Sequence, residues 1–482
     1  MKRSPARSKT LAASALAAAL ALCAPAQAIN LAPNGKGEVL IFPYYTVRNG
    51  FDTLVSLTNT SDRTVLANLR VREAKNARSV REFHLALSPR DVWTGAVTTD
   101  GADGALIRTF DRSCIVPALG AGPNGSSQIA LTTSNYSGSL DDQGGSGPDR
   151  LREGFIEVIE MAISTVPESA IPAAGASIET SAQHVDGTPR SCGTVQDIFL
   201  NAGNFDLAGG GGAGFTGTPF ASFEAPKNVL FGSATLINIG SGQAYDATPT
   251  AIQNFQDTVP IIFMPDQSKP TLAHGSSAVT AQQFDGDGRL ISTPNIASSV
   301  DAVSVLLMAR LLNNEFASGS TATSSARTDW VVTFPTKHFY TDPMEINSNT
   351  VLPPFREAFI GGRSCDVWGV SFSGREEQFD SLVEIPENPL GPCYSTNVVF
   401  FRGGATQASL FGSAAIFGVG VPTTSVGSAG WAQLSLHSGS LHGFSGLPAI
   451  GFAAIERNNS AEAGNNRNYG SGRPHVVELI AP

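Results

Sequence analysis

The chain has 482 residues, with 31 Lys and Arg against 41 Asp and Glu, a formal charge of −10, and its basic residues form no cluster beyond the first ten positions. That argues against nucleic acid as a partner, because a polyanion is held through counterion release at Lys and Arg clusters. Glycine at 50 positions, with only 15% charged residues, points to strands and loops with helix in the minority, and the length suggests two or three domains of roughly 150 residues each.

The first ten residues carry Lys2, Arg3, Arg7 and Lys9 and no acid, Leu11 to Leu22 are apolar, and Ala26-Gln27-Ala28 is a small-x-small cleavage sequence. This pattern predicts a signal peptide over 1–28 and export through the inner membrane to the periplasm, the cell surface or the medium. Its apolar core is too short to cross a hydrocarbon layer of about 30 Å as a helix. Cys23 follows Leu22, where lipid attachment wants a small residue, so no lipid anchor is expected. No transmembrane segment is expected after the signal: the apolar stretch Val303 to Leu312 is broken by Arg310. Without the signal, 27 basic residues face 41 acidic ones, a formal charge of −14.

From Glu38 to Val97, strand and turn signals follow one another without a break. Val39 to Phe42 is an apolar run stopped by Pro43, Leu54 to Thr60 is rich in β-branched and apolar residues, and Asn59 to Arg63 supplies turn formers. Over Thr64 to Arg72, Val65, Ala67, Leu69 and Val71 fall on one face, and Leu66, Asn68, Arg70 and Arg72 on a mostly wet one. Phe83, Leu85 and Leu87 repeat this period, and Pro89 sits where a type I turn wants it before Val92-Trp93-Thr94. Gly120 to Gly147 reads as a long surface excursion, and Gly154 to Ala162 as a strand by its Ile and Val content. Together these predict an N-terminal β-sandwich domain with long loops over 29–200.

Residues 201–217, with Gly209 to Gly212 consecutive, predict a linker or large loop, and 218–482 a second β-rich region. Leu230 to Ala234 and Leu410 to Ala414 share Leu-Phe-Gly-Ser-Ala, which marks either equivalent strands of related halves or chance in a chain rich in Gly, Ser and Ala. One helix is predicted over Val300 to Phe316, capped by Ser299, with Val303, Leu306, Leu307, Arg310 and Leu311 at helical spacing. Trp330 to Thr336 reads as a strand stopped by Pro335, and short strands follow at 397–401, 431–436, 450–455 and 476–480.

Beyond the signal, Cys114, Cys192, Cys365 and Cys393 remain, an even count in an exported chain, and the expectation among three connectivities is nearest-neighbour pairing, 114 with 192 and 365 with 393. Their spacing is too wide for a zinc site. No cofactor is expected other than calcium, for which Asp285-Gly-Asp287-Gly is the best candidate; Arg289 and Ile296 replace the further ligands of a full EF-hand loop. Asp100 and Asp103 form a weaker echo. No catalytic motif stands out. Ser445 in Gly443-Phe-Ser-Gly446 lacks the spacing of a nucleophile elbow, and His437 and His442 have no neighbouring carboxylate. Glu376, Glu377, Asp380 and Glu384 are the acids from which a glycosidase pair could be drawn. The expected ligand-binding patch is Trp330, Phe334, Lys337, His338 and Tyr340, with Phe339 beside them, since aromatic faces with polar neighbours stack on sugars or on a partner's side chains.

The phrases Glu38-Val-Leu-Ile-Phe-Pro-Tyr-Tyr45, Asp91-Val-Trp-Thr94, Trp330-Val-Val-Thr-Phe-Pro-Thr-Lys337 and Gly446-Leu-Pro-Ala-Ile-Gly-Phe-Ala-Ala454 resemble those of uncharacterised exported proteins of proteobacteria, and they are spread over most of the chain. The stretch Leu54 to Val97 separately resembles immunoglobulin-like modules of bacterial surface proteins. The first resemblance implies an exported protein of unknown activity, and neither brings a functional residue with it; with the strand and turn patterns above, the expected fold is mainly β, immunoglobulin-like sandwiches with long Gly/Ser-rich loops and one short helix. The expected function is that of an exported, non-enzymatic envelope protein that binds or supports an envelope protein or a glycan. The alternatives are a carbohydrate-active or other secreted hydrolase with its site in the C-terminal region, and an outer-membrane barrel, against which the final Leu-Ile-Ala-Pro482 argues.

Overall fold

The structure, a computed structural model, describes residues 28–101, 104–134, 136–205, 217–320, 324–382, 391–403, 407–437, 439–459 and 467–480. It is mainly β, and four large sheets carry the fold. The first has ten strands and is centred on Val39–Thr46, Glu153–Pro167 and Arg63–Glu73. The second has seven, with Leu230–Asn238, Asp52–Asn59 and Val92–Asp100 adjacent. The Leu54 to Val97 stretch therefore feeds both sheets: Asp52–Asn59 and Val92–Asp100 pair with each other, while Arg63–Glu73 and Ser79–Leu87 pair in the opposite layer. Val65, Ala67, Leu69, Phe83 and Leu85 pack from one side against Val55, Leu57 and Trp93 from the other.

Strand Val39–Thr46 is buried along its whole length. It does not stop at Pro43. The register with Glu153–Pro167 shifts between Phe42↔Ile156 and Tyr45↔Gly154, so Pro43 and Tyr44 oppose Phe155 alone, and a bulge is where a sheet tolerates a residue without an N–H. The Gly154 to Ala162 stretch is a strand, as expected, and lies in the middle of the sheet between Val39–Thr46 and Arg63–Glu73.

The third and fourth sheets, of five and six strands, enclose a second core of Trp330, Trp368, Phe372, Phe401 and Leu434. The outer face of the fourth sheet is also buried. Its Val331, Val398, Phe452 and Ala454 join the core of the first two sheets. The loop bearing Leu410 and Phe411 plugs this junction: the Phe411 ring lies 5.3 Å from Tyr44, 5.4 Å from Phe51 and 5.7 Å from Tyr245. The Leu-Phe-Gly-Ser-Ala echo thus does not mark equivalent strands, since Leu230 opens a strand and Leu410 lies in a loop.

Three further expectations are corrected. The glycine-rich stretch does not divide the chain into an N-terminal domain over 29–200 and a second region over 218–482. Strand Leu230–Asn238 returns to pair with Asp52–Asn59, Thr250–Gln253 pairs with Val39–Thr46, and Val279–Phe284 pairs in parallel with Ile29–Leu31, so the first sheet pair runs to Ile296. Residues 206–216 of that stretch, like residues 1–27 of the predicted signal peptide, lie outside the described residues.

The predicted helix is half as long. Ser298 caps Ser299–Leu307, and Met308 turns to ψ 133°. Leu311–Ala317 is then a strand because Leu312 and Phe316 alternate into the second core while Asn313 donates to Glu478 Oε1 at 2.8 Å. Nor is there only one helix. Cys192–Leu200, capped by Ser191 Oγ, packs Val195 and Phe199 onto the outer face of the first sheet and is tied to strand Cys114–Val116 by the Cys114–Cys192 disulfide. Cys365 and Cys393 form the second disulfide, so both pairings are as expected.

The last correction concerns the face taken as wet. Asn68, Arg70 and Arg72 are buried, covered by the segment around Phe263 to Thr271. Each polar side chain is met by a partner on a neighbouring strand: Arg70 pairs with Glu82, Arg72 Nε reaches Glu157 at 2.6 Å, and Asn68 meets His84 Nδ1 at 3.2 Å. On the same sheet, the buried neighbours Glu38 and Glu160 staple two loops. Glu38 Oε2 accepts from Gln256 N at 2.7 Å and Glu160 Oε1 from Lys227 N at 2.9 Å. Burial raises Glu38 to about 7; burial, with the Glu38 charge next, raises Glu160 to about 8.

Candidate functional site

The expected aromatic patch lies inside the protein. Trp330, Phe334, Lys337, His338 and Tyr340 are all buried, because strand Ser324–Thr333 runs through the middle of the fourth sheet and the turn after it is folded under. Trp330 stacks within the second core, its ring 4.9 Å from Phe401. Lys337 Nζ donates to Ser364 O at 2.6 Å and to Asp366 Oδ2 at 2.7 Å, pinning the segment that carries Cys365. Tyr340 donates to Asp301 Oδ1 at 2.6 Å, anchoring the first turn of helix Ser299–Leu307. These residues organise the junction and present no surface to a sugar or a partner.

Asp285 and Asp287 sit on the exposed turn between Val279–Phe284 and Leu290–Ile296, where Asp285 Oδ1 accepts from Asp287 N at 3.1 Å and Arg289 N at 2.8 Å. Among the described residues, no three His, Cys, Asp or Glu gather as a metal would need. Glu376 and Glu377 are exposed on the turn before Phe379–Leu382, Asp380 Oδ2 accepts from Ser425 Oγ at 2.6 Å, and Glu384 lies outside the described residues. His437 bonds Arg310 and Ser435, and His442 faces Asp301 at 3.8 Å.

What the structure brings together instead is an apolar cleft of about 610 Å³ between the edge of the first sheet and the second sheet pair. Its floor is the end of helix Ser299–Leu307, with Leu306, Leu307 and Met308, and beside it Leu312 and Ile450. Leu31, Phe284 and Leu290 of the first sheet form one wall, and Val477 and Leu479 the other. The rim stays apolar although wet: Phe284 is 67% exposed and Leu290 48%.

Gly451 allows the close crossing behind this floor, since at φ +156° a Cβ there would meet the Val331 carbonyl oxygen at 1.9 Å. Asn30, Thr250, Gln282, Gln283 and His475 are the polar residues of the lining. His475 Nε2 lies 3.0 Å from Val331 O and Nδ1 3.3 Å from Asn314 Nδ2; burial lowers its pKa to about 4, so it is neutral and donates from Nε2. Gln283 has a buried amide nitrogen with no hydrogen-bond partner among the described residues. Among the described residues, no carboxylate or thiol lines the cleft.

Volume, apolar lining and a few polar groups at a junction between packed units are the features of a small-molecule binding site. The fold and cleft define a mainly β, disulfide-bonded protein of two packed sheet pairs with an apolar cleft at their junction. No protein-family model matches the chain, and no curated protein matches it in sequence. No described helix is long and apolar enough to cross a membrane.

Proposed function

We propose that the chain is an exported, non-enzymatic binding protein of the cell envelope, and that the junction cleft takes a small, largely apolar molecule with one hydrogen-bonding group. The observation that carries this reading is the cleft itself, about 610 Å³ with a wet apolar rim of Leu31, Phe284, Leu290 and Val477. Burying such a rim contributes about 25 cal/mol per Å² of apolar surface covered. Export is supported by the two disulfides and by the sequence pattern of residues 1–28. The hydrolase alternative draws on Glu376, Glu377 and Asp380, which sit together on one surface hairpin remote from the cleft lining, a placement that favours binding.

The test is a titration of the mature, disulfide-bonded protein with a naphthalene-based fluorescent probe, and displacement of that probe by dodecanoate. Leu31→Trp and Leu479→Trp fill the cleft from two walls and are expected to weaken probe binding by roughly tenfold or more. Equal binding to the wild type and both variants rejects the cleft as the site.

A further inference from the structure

The polar row on the buried face of Arg63–Glu73 has hydrogen-bonding capacity left over. Arg70 gives Nε and Nη2 to Glu82, and Arg72 gives Nε to Glu157 and Nη1 to the Ala77 carbonyl at 2.6 Å. Arg70 Nη1 and Arg72 Nη2 make no hydrogen bond among the described residues, although the two residues are only 1% and 4% exposed. His338, 2% exposed, adds two ring nitrogens that make no close hydrogen bond among the described residues, with the Pro335 carbonyl beside the ring. All three side chains border one cavity of about 260 Å³, separate from the apolar cleft, with the exposed Met344 at its rim. A liquid water occupies about 30 Å³, so the space exceeds that of a single bridging water.

Donors from two strand positions and from the turn after Ser324–Thr333 converge on the same space. A guanidinium only donates, and its planar fork matches an oxyanion. Burial and the two arginine charges hold His338 neutral, so its ring has one N–H, for which the Pro335 carbonyl and an anion would compete. The acids that border the cavity do not compete for these donors. Asp342 accepts from Asn76 Nδ2 at 2.9 Å and from Met344 N at 3.0 Å, and Glu345 is exposed.

We propose that this cavity is a binding site for a small oxyanion, carboxylate or phosphate, held by Arg70 Nη1, Arg72 Nη2 and the His338 ring. Glu82 and Glu157 already offset the arginine charges, so directed hydrogen bonds rather than net charge hold the anion.

Calorimetric titration of the mature protein with inorganic phosphate and, separately, acetate tests this, at constant ionic strength with chloride as the control. Saturable binding of one equivalent is expected, weakened roughly tenfold or more in His338→Phe and less in His338→Gln, which keeps a donor. Met344→Glu changes only the exposed rim, so it folds whatever the interior tolerates, and it is expected to weaken binding by placing a carboxylate at the mouth. Saturation by only one of the two anions identifies the oxyanion class. Absence of saturable binding by either overturns the proposal and leaves a water-filled cavity, and so does binding that is unchanged in Met344→Glu.

Discussion

Replacing Glu160 by glutamine removes a carboxyl that the fold holds protonated near neutral pH. Glu160 is fully buried, and burial with the neighbouring Glu38 raises it from 4.5 to about 8. A displacement of that size corresponds to about 5 kcal/mol between its protonation states. The sign follows from linkage. Below pH 4.5 both folded and unfolded chains hold the proton, and the fold bears no penalty. As pH rises, the unfolded chain releases it while the folded chain keeps it, so stability falls until the pH passes about 8, where the folded group ionises too.

Glutamine cannot titrate. Relative to wild type, Glu160→Gln should gain up to about 1.4 kcal/mol per pH unit between roughly pH 5 and 8, then level off. A constant offset is expected from the contact with Val229 N, 3.4 Å in the wild type. Urea unfolding of both proteins across this range supplies the difference curve. Taking the difference cancels titrating groups that do not interact with Glu160, among them His84, His274 and His475, which burial pushes down to about 4. Parallel pH profiles for the two proteins would refute the reasoning, for they would mean that Glu160 is ionised in the fold at neutral pH.

Two other substitutions test how the junction is held. Lys337→Met strands Asp366 in the interior and should cost roughly 3–5 kcal/mol in thermal or urea unfolding, with partial recovery in Lys337→Met/Asp366→Asn; a loss below about 1 kcal/mol would mean the pair does not pin the Cys365 segment. Replacing Cys114 and Cys192 together by serine opens a loop spanning 78 residues and should lower stability by about 4.5 kcal/mol on the chain-entropy model, and an unchanged urea midpoint would contradict it.

The strands are legible where apolar residues recur with a period of two, as at Val65, Ala67, Leu69 and Val71. The other face of that strand was misread for a physical reason. Arg70 and Arg72 look solvated until the register sets Glu82 opposite Arg70 and brings Glu157 beside Arg72, and register is a property of the paired sheet, not of one segment. The helix was overextended because Leu306, Leu307 and Leu311 satisfy helical spacing, while Leu312, Asn314 and Phe316 equally satisfy a period of two.

Trp330 and Tyr340 read as a surface patch because residue type alone does not distinguish a stacking platform from a core ring. Helix Cys192–Leu200 had a readable start in Ser191 and an i, i+4 pair in Val195 and Phe199, but it is short and its moment is weak. The cleft had no local signal at all. Its lining is gathered from stretches near residues 31, 284, 306, 450 and 477, and only the topology makes them neighbours.

The pairing of Ile29–Leu31 with Thr250–Gln253 and Val279–Phe284 sets a timetable for synthesis. The first strand to be made is completed by some of the last strands of its sheet, so a nascent chain that has reached the glycine-rich stretch carries Val39–Thr46 with one edge open. That strand is apolar along most of its length, and an open apolar edge is a template for pairing with other chains. Closure across so many residues is slow compared with local hairpins. Until it happens the molecule depends on being kept apart from its copies, and a fragment ending at the glycines would hold that vulnerable state permanently.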